Sequence, residues 1–472
     1  MSHVYALTCV LIMICWAYIY FKTYQLCGYN IVKFFSKSLE FKLAFGDKNK
    51  LVFTKRMWRF LIVYVGLCYL FFYLINNFVF SIFLKILDCT LIYLFTPVIV
   101  CLVHILLLPV EIAIKSFYIK KAGKRLAKKD CIKIGITGSY GKTSTKNILA
   151  QILEKQYKVC VTPQNYNTDM GVTKTILQKL DDEDVFIAEM GARKKGDIEK
   201  IAKFVKPDYA IVTTIGAQHL ETFGSLKNIE NTKYELVEGV KEDGIIVFNG
   251  DSPSTKKLFS ICPKEKYLTC DEKGYAYAKD VKINADGSTF FLIIDSHQIK
   301  VSTKLLGQIN INNIVTASAL AYLLGISMED IRSAIKHLEP TSHRLELMRS
   351  GKVVILDDSY NSNIIGAEEA LKVLSSFDGQ KIVVTPGFVE LGREGSEANF
   401  KLGAKIADVA DYIIIMNETN KNYLLSGAIS HNFDKKKIFF ANNRKEQRSL
   451  LAKLTTSGCV VLFENDLPDN FS

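Results

Sequence analysis

Apolar positions are spread unevenly along this chain. Before Lys115 they form long, almost uncharged runs, and beyond it they come in short bursts separated by polar stretches with helical spacing. Three runs, roughly residues 4–23, 58–83 and 90–112, approach or exceed the length of a bilayer crossing, which takes about 20 helical residues. A cleaved leader would need a basic start and a small-residue cleavage site, and Met1-Ser2-His3-Val4 offers neither. A buried all-apolar helical bundle would explain the runs but not their flanks. Lys22, Lys33, Lys37, Lys42, Lys48, Lys50, Lys55 and Arg56 stand between the first two runs against Glu40 and Asp47. Lys115, Lys120, Lys121, Lys124, Arg125, Lys128 and Lys129 follow the third, while Lys85 and Asp88 separate the second from the third. Basic flanks face the cytoplasm. The pattern therefore predicts about three transmembrane helices within residues 1–125, an external N-terminus, and the rest of the chain on the cytoplasmic side of the inner membrane.

From residue 126 onward, short apolar bursts alternate with helix-periodic segments. Residues 185–188 and 209–212 read as buried strands, each preceded by a helical pattern, which predicts a parallel sheet with helices on both faces. Residues 267–301 read as an antiparallel excursion, and 310–324 as a helix carrying small residues. Beyond Pro340 a second alternation begins, with strands expected at 353–356, 382–385, 412–415 and 460–463. The expected fold class is α/β: a central ATP-binding domain over 126–338 and a C-terminal Rossmann-like domain over 339–472, preceded by the helical membrane region.

The most specific chemistry lies where the first cytoplasmic strand ends. Residues 134–145 are an apolar strand, a glycine-rich turn, and Gly141-Lys142-Thr143 opening a helical segment over 146–156. Such a junction aims unpaired backbone N–H groups at an anion, and the lysine adds a point charge beside the β/γ-phosphates. The Thr143 hydroxyl stands where magnesium needs an oxygen. The spacing is not that of the common P-loop, because Ile136 occupies the place of its first glycine. Gly138, Ser139, Tyr140, Gly141, Lys142, Thr143 and Ser144 are the candidate ATP ligands. Glu189 closes an apolar strand, where parallel sheets open their ligand crevice, and is a candidate magnesium ligand. His219 follows another strand; taken alone, such a histidine is more often a core residue.

Composition narrows the partners. The formal charge is +12, much of it flanking the apolar runs, so it fits a membrane flank and gives no reason to expect nucleic acid. The 11 cysteines are scattered without a C-x-x-C pair, which supports neither a zinc site nor a disulfide framework and suits free thiols in a reducing compartment.

Several ordered motifs together resemble the Mur ligases, ATP-dependent enzymes that add amino acids to a cell-wall precursor. They are residues 137–143, Thr162-Pro163-Gln164-Asn165-Tyr166-Asn167, Glu189-Met190-Gly191, 219–225, 307–313 and Asp357-Asp358-Ser359-Tyr360-Asn361-Ser362-Asn363, and the resemblance runs from about Ile132 to about Leu424. The 162–167 and 357–363 forms, with Glu390-Leu391-Gly392, are similar to the branch that joins D-alanyl-D-alanine to UDP-N-acetylmuramoyl-tripeptide. The resemblance implies two magnesium sites, with Thr143 and Glu189 at one and His219 at the other. Lys233 matches a lysine that the family carbamylates, which turns an ammonium into an anion able to ligate magnesium; read alone, it is an exposed helix lysine. Asn310 and Asn313 match a pair that reads adenine, since an amide both donates and accepts. Arg344 and Asp358 match residues reaching the phosphates and ribose from the next domain. Asn361 and Asn363 match positions near dipeptide and nucleotide, and Asn165 and Asn167 a substrate-side loop. Ile309, His343, Phe400 and Thr168 depart from the usual His, Gly, His and Asn. A soluble UDP-binding domain ahead of the phosphate loop is not evident. UDP-sugar binding then falls to the Lys22–Arg56 segment and the remaining domains, or the acceptor differs.

The implied reaction is carboxylate activation by a monomer. The acceptor's terminal carboxylate attacks the γ-phosphate of ATP, and the amine of D-alanyl-D-alanine then displaces phosphate from the acyl phosphate. Both steps gather negative charge, which Lys142 and two magnesium ions would offset. The site residues come from two domains, so closure is expected. Other readings stay open: another membrane-linked amide ligase of the polyglutamate-synthetase kind, a membrane-tethered NTPase, or a non-catalytic scaffold. The adenine pair and residues 357–363 argue against the NTPase. Retention of Lys142, Glu189 and Lys233 argues against the scaffold.

Overall fold

The computed structural model describes residues 17–39, 50–78, 82–164, 166–216, 220–360, 364–388, 391 and 394–465. The chain divides into two compact units, residues 1–118 and 119–472.

The described part of the first unit is helical. Residues 17–26 are followed by α1 (Ile31–Leu39), α2 (Lys55–Phe78) and α3 (Ile82–Ala127), the last running on into the second unit. Phe21 meets the rings of Phe60 and Tyr64 edge-on at 5.4 and 4.9 Å, forming a small aromatic core. Ile62, Tyr69, Leu102, Ile105 and Leu106 are exposed instead, so the apolar faces of α2 and α3 are turned outward. By length and composition one described stretch, Phe95–Ala127, could cross a membrane. Most of the first predicted span lies outside the described residues. Lys85 and Asp88, between the second and third apolar runs, lie in the first turns of α3, and the basic stretch after residue 112 continues that helix. Lysine and arginine are good helix formers, Lys124 and Arg125 suit the helix's negative end, and Ala122 and Leu126 are buried in the core of the second unit.

Two sheets build that second unit. The first contains β1 (Ile132–Thr137), β2 (Val159–Val161), β3 (Val185–Glu189), β4 (Tyr209–Val212), β5 (Ile245–Asn249), β6 (Glu265–Thr269), β7 (Ala276–Asn284), β8 (Gly287–Ile294) and β9 (His297–Thr303) in the order β2-β3-β1-β4-β5-β6-β7-β8-β9. Strands β1 to β6 are parallel, and β7 to β9 form an antiparallel meander. The excursion therefore starts at Ala276 rather than 267, because residues 265–269 continue the parallel register with β5. The second sheet contains β10 (Glu346–Ser350), β11 (Val353–Asp358), β12 (Lys381–Thr385), β13 (Tyr412–Met416), β14 (Ile438–Ala441) and β15 (Val460–Glu464), in the order β10-β11-β15-β12-β13-β14. Only the β10–β11 pair in it is antiparallel.

Alternation along the central strands sends side chains to both faces. Ile134, Ile136, Ile187 and Ile211 join the core with α4 (Lys142–Leu153), while Phe186, Ala188, Ala210 and Val212 join the core on the other face. Register then places the site. Ile136 pairs with Glu189 and Thr137 with Val212, so the phosphate loop, Glu189 and residues 213–216 leave the sheet at the same edge.

Candidate active site

The glycine turn takes its shape from two residues in the left-handed half of backbone space, Gly138 (φ 151°) and Gly141 (φ 80°). A Cβ on Gly138 would overlap the Thr213 hydroxyl, and one on Gly141 would lie 2.6 Å from Asn313 Oδ1. Gly141 caps α4 without a side chain, leaving first-turn N–H groups for an anion. The helix opens at Lys142, four residues before its predicted start, because this cap ends the turn. Lys142 Nζ folds back to donate to the carbonyls of Gly138 and Ser139, at 2.8 Å each. Burial pushes this ammonium down to about 8, against the pull of Glu189 and with the push of the Arg344 charge.

Glu189 is held on both oxygens. Oε2 accepts from the Thr143 hydroxyl at 2.9 Å and from Lys146 Nζ at 3.3 Å, and Oε1 accepts from Asn167 Nδ2 at 3.0 Å. Its backbone N–H donates to Thr162 Oγ1 at 3.0 Å. Thr143 and Glu189, expected to share a cation, are thus in direct contact. The Asn167 side chain, expected on the substrate side, donates to Glu189 through Nδ2. Lys146 was not singled out from sequence. The available signal was a lysine one turn beyond Lys142, on a helix whose other inward positions are apolar or small.

Lys233 lies on α5 (Leu226–Gly239) and is 4% exposed, which corrects its reading as a solvent-facing lysine. Burial drives its amine well below the ordinary lysine value, with the nearby Lys142 charge adding to the effect and Glu235 and Glu189 opposing it. Glu235 accepts from the backbone N–H groups of Gly196 and Glu199 at 2.6 and 3.1 Å, which anchors α5 to the start of the helix Asp197–Val205.

Asn310 and Asn313 sit in the first turns of α6 (Gln308–Leu323). Asn310 Nδ2 donates to Leu306 O at 2.9 Å; Asn313 Oδ1 accepts from the Thr145 hydroxyl at 3.1 Å. Asn313 Nδ2 is buried beside the turn with no partner among the described residues. Such an orphaned donor is costly unless a ligand accepts from it. Asp251 is a further acid at this edge that sequence reading missed: it accepts from the Thr214 hydroxyl at 2.8 Å and from Asn312 Nδ2 at 3.2 Å.

From the second sheet's side come Arg344 and Asp358. The Arg344 guanidinium lies 4.5 Å over the Tyr360 ring. Burial raises the Asp358 carboxyl to about 6, with Arg344 pulling it down. Arg344 is flanked by two residues in left-handed conformation, His343 (φ 61°) and Leu345 (φ 50°). His343, standing where the resemblance expects glycine, is held by its Nδ1 contact of 2.7 Å with Asp357 Oδ2. His343, Glu346 and Asp357 bring three metal-ligating atoms within 4.8 Å of one another. Their contacts are those of a braced loop, since Glu346 also accepts the His343 N–H at 3.0 Å. Asn165, His219, Asn361, Asn363 and Glu390 lie outside the described residues.

The donor set fits magnesium triphosphate. Uncapped helix N–H groups, a lysine and an orphaned amide gather at the turn, and a hydroxyl touching a carboxylate offers oxygens to a hard cation.

Known proteins agree with this geometry. The family model described as Mur ligase middle domain matches residues 136–321. The UDP-N-acetylmuramoyl-tripeptide–D-alanyl-D-alanine ligase of Bacillus subtilis is 29% identical over 351 residues, 74% of each chain. The enzyme of that name from Buchnera aphidicola (subspecies Baizongia pistaciae) is 31% identical over 332 residues, 70% of this chain and 71% of that protein. The crystal structure of MurF ligase from Thermotoga maritima in complex with ADP superposes with a TM-score of 0.68 at 26% identity, covering 75% of this chain and 80% of that one. Folylpolyglutamate synthase from the same organism shares the fold, with a TM-score of 0.55 at 16% identity.

Proposed function

The chain belongs to the Mur ligase family, and on that premise we propose that it joins D-alanyl-D-alanine to UDP-N-acetylmuramoyl-tripeptide at the expense of ATP, in peptidoglycan precursor synthesis. The observation that carries the reading is the cluster formed by the Gly138–Ser144 turn, the Thr143–Glu189 contact at 2.9 Å, and Lys142 within electrostatic reach of Lys233 and Arg344.

The turn's N–H groups and Lys142 hold the β- and γ-phosphates, and Arg344 reaches them from the second sheet's side. Thr143 and Glu189 would hold one magnesium, and His219 with Lys233 a second; bound there, magnesium would supply charge neutralisation on the transferring phosphoryl group. Lys233 sits where a neutral amine is favoured, the form that takes up CO₂ to become a carbamate. The acceptor carboxylate attacks the γ-phosphate and ADP leaves. The D-alanyl-D-alanine amine then attacks the acyl carbon, phosphate departs, and the amine's proton passes to solvent. Lys142 stays on the oxygens through both displacements, where charge is greatest. Asn310, Asn313 and Asp358 serve the nucleoside. Asn165, Asn361 and Asn363 serve the substrates, and Asn167 acts through Glu189. The central and C-terminal domains, 126–338 and 339–472, close over the site as a monomer.

Residues 1–125 cross the cytoplasmic membrane three times with the N-terminus outside, which leaves the ligase body in the cytoplasm. The apolar stretch Phe95–Ala127 and the basic flanks support this. Because this region stands where a soluble UDP-binding domain is expected, an acceptor of another kind is the second reading.

Purified full-length protein with ATP, UDP-N-acetylmuramoyl-tripeptide and labelled D-alanyl-D-alanine tests both. The expected result is label in an amide product with equimolar ADP. ADP release without incorporation would reject this acceptor pair, and labelling from glutamate instead would favour the polyglutamate-type ligase.

A further inference from the structure

Lys146 is one turn into α4 and fully buried. Its ammonium has three protons and three acceptors: Thr162 O at 2.7 Å, Gln164 O at 2.9 Å and Glu189 Oε2 at 3.3 Å. Burying an ammonium is unfavourable unless every proton is matched, and a sequence that only had to fill this space would use leucine or methionine. The acceptors define what the charge is for. Two are carbonyls of the 162–167 segment, where Gln164 adopts φ 43°, and the third is the oxygen that also meets the Thr143 hydroxyl. The same segment returns to Glu189 through Asn167 Nδ2 and through Thr162 Oγ1, which accepts the Glu189 N–H. Asn167 O also accepts from Gly191 N at 2.8 Å.

We propose that Lys146 is a positioning residue: it orients the Glu189 carboxylate toward Thr143 and ties the order of the 162–167 segment to occupation of the divalent-cation site. This rests on the magnesium role given to Glu189 above. When Glu189 serves as a cation ligand, Lys146 shares less of Oε2 and leans more on the Thr162 and Gln164 carbonyls, which tightens the segment. Without the ammonium, the carboxylate keeps Thr143 and Asn167 but loses the contact that links it to those carbonyls.

The test reads binding and amide exchange in the full chain. In the unmutated protein, ADP with magnesium slows hydrogen exchange at residues 162–168 relative to ADP with chelator. In Lys146→Met, close in length but uncharged, that protection disappears, and the magnesium midpoint for ADP binding by calorimetry rises about tenfold, as for other residues that act through a metal ligand. Lys146→Arg, which keeps the charge, restores part of the shift. Equal exchange with and without magnesium in the unmutated protein overturns the proposal, and it does so even if Lys146→Met fails to fold. A folded Lys146→Met with an unchanged midpoint overturns it as well. If ADP binds only without regard to magnesium, or not at all, the cation role of Glu189 falls too. Failure of D-alanyl-D-alanine incorporation alone touches only the acceptor assignment.

Discussion

The two sides of the site are built on different principles. On the side of the first sheet, three charged side chains are already matched within the protein: Glu189 on both oxygens, Lys146 on three acceptors, Lys142 on two loop carbonyls. On the side of the second sheet, Arg344 rests on an aromatic ring beside a buried acid, between two residues in left-handed conformation. The first arrangement is preorganised, since satisfied hydrogen bonds in a low-dielectric site fix each group before ligand arrives. The second is an arm whose charge has a cushion rather than a clamp. Under the proposed function this is a division of labour in which phosphate and metal binding would be set in advance and the arm would complete the site on closure.

Lys142→Ala tests the preorganised side most severely. Loss of the only lysine on the phosphate turn should lower ADP release about a thousandfold, the scale of removing a donor aimed at transition-state charge. Turnover near the unmutated rate would break the comparison. Lys233→Ala should cost about a hundredfold, and short carboxylic acids should restore part of the rate, because they replace the carbamate's charge and not the amine's. Rescue by alkylamines instead would reject the carbamate. Arg344→Met tests the arm: a rise of about tenfold in the KM for ATP, or about 1.4 kcal/mol, with ADP binding by the free central side little changed. Equal damage to both would mean that the two sides are one preformed site.

The smallest effect is a pH dependence. The free Lys142 ammonium titrates near 8, below its ordinary 10.5, because it is buried, and bound phosphates should raise it again. Above pH 8 the free site therefore holds fewer protons than the occupied one, so binding takes up a proton and weakens as pH rises. The ADP Kd should be flat below that point and climb up to about tenfold per unit above it, a slope absent from Lys142→Ala. The folding contribution has a different reference. The unfolded lysine stays charged up to about 10.5, so the burial penalty is full below pH 8 and is relieved as pH rises between the two values.

Much of this was legible in residue order because local chemistry suffices for it. A strand that must turn sharply and present bare N–H groups needs glycine at 138 and 141, and the hydroxyl and lysine must follow at once. The alternation of short apolar strands and helical segments likewise announced two parallel-rich sheets. Harder to read were groups whose meaning depends on distant neighbours. Lys146 and Lys233 look like solvent-facing helix lysines until Thr162, Gln164 and Glu189, or Lys142 and Glu235, are brought beside them. Asn167 reads as part of a substrate-side loop, and only the fold shows its amide on Glu189. The apolar runs were visible, yet the course of α3 through Lys85 and Asp88 and into the second unit was not, since no breaker marks either place.

Sequence by itself determined the phosphate turn, the strand that ends in Glu189 and the family, because each is written in contiguous residues or in an ordered series of them. Tertiary structure decided which lysines are buried, which oxygens they meet and which amide orients the carboxylate. Those properties arise from desolvation and contact between segments far apart in the chain, and no local pattern encodes them.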